Sequence, residues 1–118
     1  MPSRILLVDD EPTLCELVAR TLRNAGYVVV EACNGLAGWE LFIGSESFDL
    51  VVTDSHMPDM SGLELVQRLR ERNPTLPIVQ LSGSHGSSVD GLPGDVRTLF
   101  KPLGLRDLVT TIQELLAA

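Results

Sequence analysis

The chain has 118 residues, 44% apolar and 21% charged, which suits one globular domain with a single core and leaves too little for two. Nine lysine and arginine residues stand against sixteen aspartate and glutamate, a net charge of −7, so no basic stripe is available for phosphate backbones and direct nucleic-acid binding is not expected. No apolar stretch approaches the length needed to cross a bilayer, which excludes membrane insertion by a helix.

Short apolar runs alternate five times with segments of helical period, which predicts βαβ units and an α/β fold with a parallel sheet covered on both faces. The first strand, 4–8, follows Met1-Pro2-Ser3 directly, which leaves no room for a secretory leader and points to a cytoplasmic protein. A helix opens at Pro12, a residue suited to the first turn, turns Leu14, Leu17, Val18, Leu22 and Ala25 to the core, and stops at Gly26. The second strand covers 28–31, and the second helix runs from about 36 to 44 with Trp39, Phe42 and Ile43 as its apolar stripe.

The third strand covers 50–53. The third helix starts with Ser61-Gly62-Leu63-Glu64, a capping box in which the serine oxygen and the glutamate satisfy orphan amides. Leu65, Val66 and Leu69 follow at core spacing, while Arg68, Arg70 and Arg72 decorate the outer face and end of that helix. Strands at 78–81 and 98–100 come next; between them, 83–95 holds four glycines, three serines and a proline, so the expected fourth helix is short or degenerate. The last helix places Leu105, Leu108, Val109, Ile112, Leu115 and Leu116 on one face. Residues 1–118 therefore read as a single domain without an output domain. Cys15 and Cys33 lack metal-type spacing and companion ligands, and are expected as reduced thiols on a helix and in a loop.

The strand ends carry the chemistry. The first run delivers Asp9 and Asp10, the third Asp54, the fourth Ser82, and the fifth Lys101, the only lysine in the chain. In an open parallel sheet, side chains just past the carboxyl ends of strands converge on one crevice. Clustered carboxylates repel one another, and hard oxygens suit Mg²⁺, which makes Asp9, Asp10 and Asp54 a candidate metal site. A carboxylate such as Asp54 can attack a phosphoryl group when cations neutralise the charge, with Lys101 and the Ser82 hydroxyl binding phosphoryl oxygens. Taken singly, each residue has a plainer reading: Asp9 or Asp10 as a helix cap, Lys101 as a solvated lysine, Ser82 as a turn residue.

Jointly, Val8-Asp9-Asp10-Glu11-Pro12, Thr53-Asp54-Ser55-His56-Met57-Pro58-Asp59-Met60-Ser61-Gly62, Leu81-Ser82-Gly83 and Lys101-Pro102 resemble the ordered signature of bacterial receiver domains, the response-regulator modules of two-component signalling. The resemblance spans essentially the whole chain. It implies a flavodoxin-like (βα)₅ fold, a doubly wound five-stranded sheet in the order 2-1-3-4-5. It also implies Asp54 as phospho-acceptor; Asp9, Asp10, Asp54 and the His56 backbone carbonyl as ligands of Mg²⁺, or Mn²⁺ in its place; and Ser82 and Lys101 as the switch and phosphate-binding pair. Pro102 corresponds to the proline, often cis, that supports the lysine loop. The implied partner is a histidine kinase or phosphotransfer protein, and the implied cycle is self-catalysed phosphorylation and dephosphorylation with no turnover of an external substrate.

His56, beside the acceptor, and Ser84 are candidates for tuning the phosphate's lifetime, with a solvated loop histidine as the plainer reading. The resemblance departs in two places: Thr98 stands where many receivers have an aromatic, and 83–95 is compressed as in receivers attached to hybrid histidine kinases. Phosphate binding is expected to reorder that segment. Two other classes compete. A haloacid-dehalogenase-type phosphohydrolase would need a second aspartate where His56 stands, and a flavin or nucleotide binder would need a glycine-rich loop where Asp9-Asp10-Glu11-Pro12 presents three anions.

Overall fold

Each of the apolar runs forms a strand, and helices of complementary pattern cover both faces of the sheet they build. The computed structural model describes residues 2–44, 47–83, 96–102 and 104–117. Five parallel strands, β1 (Arg4–Val8), β2 (Val28–Ala32), β3 (Leu50–Asp54), β4 (Ile78–Ser82) and β5 (Val96–Phe100), lie in the order β2-β1-β3-β4-β5. The order reverses between β1 and β3, the kind of switch point at which an open α/β sheet forms its crevice.

Around the sheet pack α1 (Pro12–Asn24), α2 (Gly35–Ile43), α3 (Gly62–Arg72) and α4 (Leu105–Ala117). The alternation of strand side chains feeds two core layers. Ile5 and Leu7 of β1 join Val18, Leu22, Leu108 and Ile112 from α1 and α4. Leu6 and Val8 point the other way, to Leu65, Val66 and Leu69 of α3. The four apolar side chains of β1 are fully buried, each worth about 1.5–3 kcal/mol of transfer free energy. A parallel strand enclosed on both faces needs this unbroken apolar run.

Local signals set the ends. Pro12 opens α1, and Gly26, at φ +101°, turns the chain out of it as a left-handed residue tolerates best. Ser61 caps α3, its Oγ accepting the Glu64 amide at 3.1 Å as the capping box predicts. Gly38 lets α2 approach the sheet: a Cβ there would lie 2.6 Å from Val8 Cγ2.

Three expectations are corrected. In α1 the buried stripe is Cys15, Val18, Ala19 and Leu22, the i, i+3, i+4, i+7 set, while Leu17 and Ala25 are exposed. On α2 Trp39 and Phe42 are half-buried and stack on each other, but Ile43 is exposed, and the residues pressed inward are Gly35 and Gly38. Arg70 is buried rather than decorating the helix, because its guanidinium donates to the carbonyls of Pro74 and Leu76 and so closes the turn from α3 to β4. Arg72 is exposed, and Arg68 lies over the Trp39 ring. Residues 84–95, where the short or degenerate helix and much of the reordering segment are expected, lie outside the described residues, as does Ser84.

Candidate functional site

The register aligns the strand ends that matter. Val8 pairs with Thr53 and Asp54 with Leu81, so Asp9, directly after β1, and Asp54, the last residue of β3, emerge side by side. Beyond β4 the ladder continues: the Ser55 amide donates to the Leu81 carbonyl at 2.9 Å, and the Lys101 amide to the Ser82 carbonyl at 2.8 Å. The chain then turns through a cis Lys101–Pro102 bond. Backbone pairing that outruns the strands thus fixes the bases of Asp9, Ser55 and Lys101.

Asp9, Asp10 and Asp54 each bring a carboxylate oxygen to within 4.8 Å of the others. Lys101 Nζ lies 3.3 Å from Asp54 Oδ1, which also accepts the Ser55 amide at 2.8 Å. Asp54 is buried and Lys101 half-buried, whereas Asp10 is exposed. One oxygen of Asp9 accepts the Glu11 amide at 3.0 Å, but the other, Oδ2, is buried with no hydrogen-bond partner among the described residues. Burial pushes the Asp9 pKa up, and the Asp54 and Asp10 carboxylates add to the rise, while the Glu11 amide and Lys101 pull against it.

An orphaned buried carboxylate oxygen is costly unless something positive meets it. Three carboxylates with that orphan among them suit a hard divalent cation. The plain reading of Asp9 as the helix cap is incomplete. The cap residue of α1 is Glu11, which makes no side-chain cap bond, and Asp9 only fastens the turn before it.

A pocket of about 200 Å³ opens on the Asp54 and Lys101 side of the site, lined by Asp54, Ser55, His56, Gly83 and Lys101. His56 is exposed, and its Nδ1 lies 3.2 Å from Ser55 Oγ. Ser82 is fully buried at the end of β4, and its neighbour Gly83 forms the pocket wall. Thr98 is half-buried on β5 beside its register partner Gln80; Thr98 Oγ1 and Gln80 Oε1 are both buried with no hydrogen-bond partner among the described residues.

Two contributors escaped the sequence reading. The Ser55 amide steadies Asp54, a role that any non-proline residue could fill and that leaves no mark in the sequence. Asp59 carries its carboxylate to the start of α2, a contact between distant segments that no local motif announces.

Comparison with known proteins is consistent along the whole chain. The family model described as response regulator receiver domain matches residues 5–113. The response regulator receiver protein CpdR of Brucella abortus (strain 2308) is 36% identical over 118 residues, covering 98% of both chains. Sensor protein EvgS of Escherichia coli (strain K12) is 40% identical over 114 residues, which is 94% of this chain but 9% of that protein. Among solved structures, a response regulator receiver protein from Sinorhizobium medicae WSM419 superposes with a TM-score of 0.91 at 32% identity, covering 99% of this chain and 96% of that one. A putative response regulator from Chloroflexus aurantiacus J-10-fl gives 0.90 at 28% identity, with 100% of both chains covered.

Proposed function

Because the chain belongs to the response regulator receiver domain family of two-component signalling, we propose that Asp54 accepts a phosphoryl group from a partner histidine kinase or phosphotransfer protein. The supporting observation is the meeting of three carboxylates and the only lysine at the strand ends, with Lys101 Nζ 3.3 Å from Asp54 Oδ1. Asp9, Asp10 and Asp54, with the His56 backbone carbonyl, would hold Mg²⁺ or Mn²⁺. When bound, the ion neutralises charge on the phosphoryl oxygens and on the carboxylates around them.

An Asp54 carboxylate oxygen attacks phosphorus; a P–O bond forms as the P–N bond to the donor imidazole breaks, and the imidazole departs with a proton from solvent. The Ser55 amide and Lys101 hold Asp54 in a fixed orientation, so little reorganisation is needed on attack. Lys101 then passes from the acceptor to a phosphoryl oxygen, and the Ser82 hydroxyl binds another. That change at the ends of β4 and β5 alters the surface offered to a downstream protein partner. The cycle closes by hydrolysis at the same site, tuned by His56 and Ser84, with no external substrate turned over. The expected setting is the cytoplasm.

The test is incubation with a small acyl phosphate, with and without Mg²⁺, followed by intact mass. The wild type should gain one phosphoryl group only with the ion, and Asp54→Asn should gain none. Equal labelling of Asp54→Asn would remove the proposal.

A further inference from the structure

Asp59 belongs to the loop between β3 and α3, yet its hydrogen bonds reach another element. Its Oδ1 accepts the Gly35 amide at 3.1 Å and its Oδ2 the Leu36 amide at 2.9 Å, satisfying orphan donors in the first turn of α2. The next residue, Met60, is buried against the same turn: a Cβ on Gly35 would lie 2.7 Å from Met60 Cβ. A polar and an apolar residue, adjacent in sequence, are thus both seated on α2. The other end of this loop is tied to the acceptor through the Ser55 amide on Asp54 Oδ1 and the Gly62 amide on the Ser55 carbonyl at 3.1 Å.

α2 already has a cap of its own. Asn34 Oδ1 accepts the Ala37 amide at 2.7 Å, and the Asn34 carbonyl accepts the Gly38 amide at 3.0 Å. Asn34 thus meets one amide of the first turn locally, and Asp59, from another element, meets the two before it. The Leu36 amide, foremost among the donors, holds the Asp59 pKa below the usual carboxylate value, so the group is charged at neutral pH.

We propose that Asp59 is a positioning residue: it clamps the acceptor loop, residues 55–61, to α2 and so fixes the geometry in which His56 is presented to the divalent ion. The inference rests on the reading of Asp54 as acceptor and of the His56 carbonyl as an ion ligand. A group that orients a ligand without touching the ion commonly controls affinity about 10- to 100-fold. Asp59, acting through the two loop residues that separate it from His56, belongs at the lower end of that range.

The experiment compares wild type, Asp59→Ala, Asp59→Asn and Asn34→Ala. Mn²⁺ affinity is read from the electron paramagnetic resonance signal of the free ion, and phosphorylation by a small acyl phosphate from intact mass. Asp59→Ala should bind Mn²⁺ roughly tenfold more weakly and label correspondingly more slowly at limiting ion. Asp59→Asn, which keeps one acceptor oxygen, should recover part of the loss. Asn34→Ala weakens the same helix end without touching the loop; its melting temperature should fall while Mn²⁺ affinity stays within about twofold of wild type.

Wild-type affinity in both Asp59 variants, or an equal loss in Asn34→Ala, would overturn the clamp. Should Asp59→Ala not fold, Asp59→Asn decides, with about a threefold loss expected. A wild type that binds no Mn²⁺ and takes no phosphoryl group would sink the reading of the site itself, and the clamp with it.

Discussion

The Asp9 carboxylate carries a sharp conflict, since one oxygen is hydrogen-bonded and the other is buried with no partner among the described residues. Burial, foremost, raises its pKa from 3.8, so without an ion the folded state holds the Asp9 proton more tightly than the unfolded chain does. Its contribution thus favours folding in acid and turns unfavourable as pH climbs from 3.8 through the raised value. Asp9→Asn should therefore raise the ion-free melting temperature at neutral pH by a few degrees, the shift that about 1 kcal/mol produces in a domain of this size, and the gain should shrink toward acid. Mg²⁺ should stabilise the wild type more than the variant. Melts at two pH values with and without the ion check this, and coincident neutral ion-free curves would contradict it. Lys101 presents the complementary case. Removing its ammonium from the acceptor in Lys101→Ala should slow phosphorylation by a small donor roughly 10- to 100-fold, measured by timed intact mass.

Two glycines separate backbone strain from crowding where loops join helices. Gly26 lies at φ +101° in open space, so Gly26→Ala should cost about 1 kcal/mol of left-handed strain and leave labelling of Asp54 unchanged. A Cβ at Gly62 would lie 2.7 Å from the Asp54 carbonyl oxygen and 2.8 Å from Ser55 Cα, backbone atoms that cannot step aside cheaply. Gly62→Ala should cost about 1–3 kcal/mol and also slow phosphorylation, because the displaced atoms belong to the acceptor segment. Urea midpoints and labelling rates together test the contrast. The elements themselves were largely legible in the sequence. Apolar runs marked all five strands, even β2, β4 and β5, which carry Glu31, Gln80 and Arg97 within them; each strand lies within two residues of its expected bounds, and Pro12 and Ser61 marked helix starts. The misplaced faces have a shared cause. Leu17, Ala25 and Ile43 are apolar enough to be counted as core, but small residues take buried positions instead: Ala19 on α1, Gly38 against Val8 of the sheet and Gly35 against Met60 of the loop before α3. Arg70 and Asp59 escaped for another reason: their partners are carbonyls and amides, which carry no residue-type signal. At the site, the carboxylates and Lys101 were readable as strand-end residues, whereas the enclosure of Ser82 depends on packing that no spacing encodes.

Across the whole molecule the two core layers share one sheet, since successive residues of β1, β3 and β4 enter alternate layers. Ile5 and Leu7 cannot leave one layer without withdrawing Leu6 and Val8 from the other, so the layers should unfold as a unit. Trp39, the only tryptophan, packs against the layer formed with α2 and α3, and its emission reports that side alone. Ile112 lies fully buried in α4 on the opposite side. Ile112→Ala should cost about 2–5 kcal/mol, a large share of the 5–15 kcal/mol typical of a whole domain. If the sheet couples the layers, this loss appears undiminished in the Trp39 transition, and the urea midpoint followed by emission falls together with that followed by far-ultraviolet circular dichroism. Leu65→Ala, on the tryptophan's own side, should shift both probes in the same concerted way. An Ile112→Ala protein whose Trp39 transition stays at the wild-type midpoint while the dichroism transition moves would mean that the layers melt separately. In that case β1 would not couple its two faces, and the helices on either side of the sheet would be lost independently.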